Sequence, residues 1–127
     1  MPDVLAQGAS WLEDQRHQHL TTVVNYHRAG DAAALSATIG RTVFEQEDQA
    51  GGIMRIESRD YLVRASDLIL AGAVTLPKPG DLILESDGIA TYTYEVMAPG
   101  DEPPWRYSDM NRATLRIHTK QVAVGAP

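Results

Sequence analysis

Apolar and polar residues alternate with a period of two through much of the chain, as they do in strands that bury one face. The clearest example spans Leu76 to Val96. Pro79-Gly80-Asp81 launches one strand, and Asp87-Gly88 is a dipeptide suited to the positive φ angles of a two-residue hairpin turn. Beyond it Ala90, Tyr92, Tyr94 and Val96 share one face while Thr91, Thr93 and Glu95 share the other. The pattern predicts an antiparallel hairpin.

The same reading extends in both directions. Thr22, Val24, Tyr26 and Arg28 alternate with Thr21, Val23, Asn25 and His27, and Ala29-Gly30-Asp31 turns the chain back. The return places Ala33, Leu35, Ala37 and Ile39 together, although alanines are weak strand formers and leave a short helix open. Arg41 to Glu47 and Ile53 to Ala65 flank the polar connection Asp48-Gln49-Ala50-Gly51-Gly52, a third hairpin. Ser58-Arg59-Asp60 interrupts the apolar alternation of the second arm, which predicts a bulge or bend there. Asp67 to Gly72 reads as one helical turn or a buried crossing between strands. The closing strand, Arg112 to Val122, turns Ala113, Leu115 and Ile117 inward and Thr114, Arg116, His118 and Lys120 outward.

Three segments depart from this alternation. Residues 1–20 predict an amphipathic helix capped by Asp3, with Val4, Leu5, Gly8, Trp11 and Leu12 near one stripe and Arg16, His17 and His19 in its last turn. Gly8 weakens such a helix by about 1 kcal/mol relative to alanine, so it needs a surface to lie on, either its own domain or another subunit. Ala98 to Asp109 holds three of the seven prolines, Pro99, Pro103 and Pro104, and predicts a long loop with Trp105 and Tyr107 beside the proline pair. Residues 123–127 predict a flexible tail. The expectation is a mainly β fold of one domain: an N-terminal helix over 1–20, then a small antiparallel β-barrel or sandwich built from hairpins over 21–122.

Composition narrows the chemistry. The 127 residues contain no cysteine, which removes disulfides, thiolate metal sites and a thiol nucleophile and points to a reducing compartment. No signal-peptide pattern opens the chain, and no window approaches the roughly 18 apolar residues of a membrane span. With 11 Lys and Arg against 17 Asp and Glu the formal charge is −6, unsuited to gripping nucleic-acid phosphates over the whole surface. His17 and His19, two apart on a helix, point in different directions, so with His27 they make a poor ligand set and no metal or cofactor is expected. His118 falls on the polar face with no carboxylate expected beside it, and Glu45, Glu47 and Asp48 lie at a hairpin tip rather than in a pocket. No nucleophile elbow or phosphate-binding loop is present, and no enzyme is expected.

The order of segments resembles the small head-tail connector proteins of tailed bacteriophages, of the head-completion or stopper type, also called head-tail joining proteins. The resemblance rests on the opening helix, the strand pair through Gly30, and Gly40-Arg41-Thr42-Val43-Phe44-Glu45. It continues through Ser58-Arg59-Asp60-Tyr61-Leu62-Val63, Ser66-Asp67-Leu68, Pro79-Gly80-Asp81, Tyr94-Glu95-Val96 and Leu115-Arg116-Ile117-His118-Thr119-Lys120. It implies a structural protein of the virion neck that forms a ring, hexameric or dodecameric, between a portal or adaptor protein and a tail-terminator or tail-tube protein. Such a ring completes the head and helps retain DNA that passes through its lumen without being read, and an acidic wall suits that passage. Assembly takes place in the host cytoplasm, with no membrane involved. Contacts with subunits or partners are expected from Trp11, Leu12, Pro103, Pro104, Trp105 and Tyr107. Two other readings stay open: an adaptor or tail terminator of the same neck, and a small-ligand-binding or hydrolytic barrel in which Tyr92, Tyr94 and Trp105 line a mouth and His118, beside a carboxylate, is the base.

Overall fold

A computed structural model describes residues 21–127, and the helix expected over 1–20, with Trp11 and Leu12, lies outside the described residues. Within them strands predominate. Strands β1 (Thr22–Arg28), β2 (Asp31–Glu47) and β3 (Ile53–Arg64) are followed by a single 3-10 turn over Ala65–Asp67. A short pair, β4 (Ile69–Leu70) and β5 (Ala73–Val74), then leads to β6 (Leu82–Ser86), β7 (Thr91–Val96), β8 (Trp105–Tyr107) and β9 (Thr114–Gly125). Every pairing is antiparallel, and the main sheet runs β3-β2-β1-β6-β7-β9-β8. β9 also pairs with β3, from Arg59 opposite Thr119 to Arg64 opposite Thr114, so the six long strands are joined in a cycle that returns to β3.

Alternation explains which side chains fill the centre of that cycle. Val24 and Tyr26, Leu35 and Ala37, Tyr61 and Val63, Ile83, Tyr94 and Val96, and Leu115 and Ile117 form one buried cluster, two residues apart wherever a strand supplies a pair. The crossing after β3 adds Leu68 and Leu70. At full burial an aliphatic side chain contributes about 1.5–3 kcal/mol, and with no disulfide available this packing carries the stability.

The hairpin expected through Ala29-Gly30-Asp31 is present, and four other local expectations need correction. The alanine-rich return is strand throughout and continuous with Arg41–Glu47, because β2 pairs along Asp31–Ala37 with β1 and along Thr38–Glu47 with β3, and these ladders override weak propensity. No bulge occurs at Ser58-Arg59-Asp60: the β2–β3 register stays in step from Thr38 opposite Leu62 to Glu47 opposite Ile53. Ser58 and Asp60 keep the alternation and are buried polar residues on the face away from the main core. The register shift lies instead between β7 and β9, where Thr93 faces Ala123 and Tyr94 faces Gln121, leaving Val122 as the extra residue.

The Asp87-Gly88 turn is longer than two residues. Ser86 pairs with Thr91, so Asp87 to Ala90 make the loop, and the Asp87 carboxylate accepts the Ile89 and Ala90 N–H groups at 2.8 Å each. Residues 123–125, expected in the tail, pair with Thr93, Tyr92 and Thr91 as the end of β9. Finally, the expected long loop contains β8, which sets Trp105 opposite Ile117 and Tyr107 opposite Leu115. Pro103 and Pro104 stop just short of it, so the following N–H groups are available for a ladder.

Candidate functional site

Polar clusters stand at either end of β6 and bracket the apolar centre. Before the strand, Asp81 accepts from the Tyr26 hydroxyl, from Arg28 Nη2 at 2.8 Å and from the Lys78 backbone N–H at 3.0 Å. Burial raises the Asp81 pKa, but these donors outweigh it and hold the carboxyl below its ordinary range. Tyr26 moves up, through burial first and its carboxylate partner second. Near the other end, Arg59 Nη2 reaches both Glu85 oxygens at 2.9 Å, while the Tyr61 hydroxyl donates to Glu85 at 2.8 Å and accepts from Arg59 Nε at 3.2 Å. The Arg59 guanidinium also lies 5.1 Å from the centre of the Tyr94 ring.

Beyond Arg59 opens a surface groove of about 610 Å³, lined by Ile39, Arg41, Glu57, Tyr94, Thr119 and Lys120 among others. Charge in it is largely matched: Arg41 lies 3.5 Å from Glu57 and Lys120 lies 3.9 Å from Glu95, both pairs well exposed and so worth little. The groove is a recess between strands. Of the three aromatics expected at a mouth only Tyr94 lines the groove; Tyr92 is half-buried with its hydroxyl 3.3 Å from Asp87, and Trp105 packs on Tyr107.

On the opposite face of β2, β3 and β9 lies the arrangement that sequence reasoning missed. Asp60 is wholly buried and receives Arg116 Nη1 at 2.7 Å, His118 Nδ1 at 2.9 Å, Ser58 Oγ at 2.5 Å and the Thr42 hydroxyl. Burial alone pushes this carboxyl up, yet the bonds from His118, Ser58, Thr42 and Arg116 prevail and hold it far below the usual carboxylate range. An ionised carboxylate only accepts, so Nδ1 of His118 carries the proton.

His118 is therefore not on a solvated face as expected: it is 2 % exposed and meets a carboxylate. The cause is its cover. Met97 N–H donates to the His118 carbonyl at 3.0 Å, His118 N–H donates to the Pro104 carbonyl at 2.9 Å, and the Phe44 ring stands edge-on to the imidazole at 5.0 Å. The proline-rich segment thus runs along β9 and, at Gly100, over Gln46 of β2; a Cβ on Gly100 would come within 2.7 Å of that side chain. Histidine, carboxylate and serine are in contact here, but His118 is sealed from solvent and does not line the groove. The cluster locks three strands together rather than presenting a base.

The expected contact residues separate. Pro103 is exposed and Pro104 half-buried, while Trp105 and Tyr107 are half-buried against the core with their rings edge-to-face at 5.0 Å. Exposed apolar side chains gather elsewhere: Val43, Ile53 and Met54 on the β2–β3 ribbon, Ile89 at the β6–β7 tip, Met110 before β9, and Val122 and Val124 along its end. Their signal was present in the sequence, since Ile53-Met54 directly follows a glycine pair, but exposure depends on where the ribbon goes.

A family model described as phage head-tail joining protein matches residues 2–125. The chain belongs to that family. No curated protein and no solved structure matches it. A head-tail joining protein is a structural component of the virion neck, and a fold of paired ribbons with outlying apolar positions agrees with a role made of contacts. Among the described residues no helix is long and apolar enough to cross a membrane, and no group of three His, Cys, Asp or Glu residues could hold a metal ion.

Proposed function

We propose that this head-tail joining protein works as a ring of identical subunits between the portal and the tail, of the stopper type, where it completes the head, receives the tail and helps keep packaged DNA inside. The six-strand cycle is read here as a small closed barrel that gives each subunit a rigid body. The ring, hexameric or dodecameric, meets a portal or adaptor protein on one side and a tail-terminator or tail-tube protein on the other. DNA passes through its lumen without base contacts, and the formal charge of −6 disfavours adhesion to its phosphates. Trp11, Leu12, Pro103, Pro104, Trp105 and Tyr107 are proposed contact positions, of which Pro103 is the most available among the described ones.

One observation carries this reading. The β2–β3 ribbon continues past the last β9 partner at Arg59 out to Glu47 and Ile53, and there it exposes Val43, Ile53 and Met54. A ribbon that finds no cover for its apolar residues among the described residues is suited to finding it on another subunit. Light scattering and native mass spectrometry of the purified protein test the proposal, together with its detection in purified virions. The expected result is a closed oligomer and a particle component, whereas a strictly monomeric protein absent from virions would overturn it.

A further inference from the structure

We infer that successive copies of this chain join head-to-tail by strand addition, the outer edge of β3 at residues 53–58 in one copy pairing with the outer edge of β9 at residues 120–125 in the next. This rests on the ring reading and names the surfaces that would build it. Within one chain β3 and β9 run side by side only between Arg59–Thr119 and Arg64–Thr114, and then they fork. Past the fork β3 pairs only with β2 and β9 only with β7, so among the described residues each prong has one edge without a partner. The groove lies in the fork, with Glu57, Ser58 and Arg59 from one prong and Thr119, Lys120 and Gln121 from the other.

Unpaired edges are normally blunted by charge or proline, because they invite another strand. These are not. Ile53 and Met54 on one prong are 72 % and 47 % exposed, and Val122 and Val124 on the other are 47 % and 57 % exposed. Among the other edges left open within the described residues, that of β2 from Thr38 to Glu47 carries Arg41, Glu45 and Glu47 and leads back to Thr21, where the described residues begin, and that of β8 is only three residues long.

The two prongs also match each other. Carrying the β3–β9 register one residue at a time past Arg59 and Thr119 sets Ile56 against Val122 and Met54 against Val124, with Glu57 against Gln121 and Arg55 against Ala123. Apolar meets apolar and no like charges oppose. In the single chain this pairing is not made, since beyond Thr119 β9 follows β7 through the bulge at Val122. Two different, mutually complementary edges on one chain define a heterologous contact, which satisfies both edges of every copy and closes into a ring when the rotation allows. A second copy is therefore the occupant that the edges themselves specify.

The absence of native cysteine makes the test direct. Met54→Cys and Val124→Cys chains are mixed under oxidising conditions, since residues opposed across a ladder lie close enough for a disulfide. The expected result is a covalent dimer from the mixture, above the level given by an Ile89→Cys and Val124→Cys mixture, and a shift towards monomer in a separate Val122→Lys variant that keeps its thermal transition. An oligomer that gives no such link overturns the edge assignment and leaves the ring reading standing; the edges then belong to the chain's first 20 residues or to another neck protein. A disulfide that closes within single chains of the Met54→Cys/Val124→Cys double variant also overturns it. A monomer with no link overturns both.

Discussion

Gly40 leaves open the space that the Arg116 side chain needs to reach Asp60. A Cβ at Gly40 would stand 3.1 Å from Arg116 Nη1 and 3.4 Å from Leu62 Cδ1. The Gly40→Ala variant is therefore expected to push the guanidinium off its carboxylate and to lose about 1–3 kcal/mol, the usual range for overpacking. Urea denaturation measures the loss. A double-mutant cycle with Arg116→Ala should be non-additive, because both changes act on one contact.

Acid should weaken the fold through Asp60 and Asp81. Both have native pKa values below the ordinary 3.8, so between the two values the unfolded chain binds the protons. Their contribution is complete above about pH 4 and is lost as the pH falls from there through the native values. The expected profile is a thermal midpoint that drops on acidification below pH 4. In Asp60→Asn that drop should be shallower, since the variant has no carboxyl to titrate at this position; an unchanged slope would remove Asp60 from the account.

Removing the carboxylate outright is a harsher change. In Asp60→Ala the Arg116 and His118 side chains stay in place without their acceptor, and breaking a buried pair in this way costs about 3–5 kcal/mol. Chemical denaturation should show a loss of that size. A loss within about 0.5 kcal/mol, typical of surface changes, would mean that the cluster is not a lock between strands.

Trp105 and Met110 make a contrast between half-buried and exposed positions. Trp105 packs on the core and on Tyr107, whereas Met110 is fully exposed. Trp105→Ala should destabilise the isolated subunit by about 2 kcal/mol, below the 3–5 kcal/mol of a fully buried aromatic. Met110→Ser should leave stability unchanged. Equal thermal midpoints for the two variants would assign Trp105 wholly to partner contacts.

The Ala71-Gly72 turn between β4 and β5 holds both residues at positive φ, 53° and 80°. Alanine is strained there, and asparagine tolerates the left-handed region better. Ala71→Asn should raise stability by roughly 0.5–1 kcal/mol, read as a higher urea midpoint.

Local pattern carried most of the strands. Val24 and Tyr26, Leu35 and Ala37, Tyr94 and Val96, and Leu115 and Ile117 point inward as their alternation requires, because in a strand the side-chain direction follows from position alone. Asp87-Gly88 marked a turn correctly but not its length, which depends on the register of the strands it joins. The resemblance to head-tail joining proteins was likewise readable from motifs spread along the chain.

Tertiary structure decided the rest. Ser58-Arg59-Asp60 looks like an interruption until β9 lies alongside and brings Arg116 and His118 to Asp60, more than fifty residues away in sequence. His118 alternates outward, but outward here is beneath the segment from Met97 to Pro104, a second layer that no period along β9 encodes. The fork between β3 and β9 is equally invisible, because where their pairing stops, at Arg59 and Thr119, depends on the route each strand takes with its other neighbour. Alternation tells a strand which side chains share a face; only the packing of distant segments settles what covers that face and which edges remain to pair.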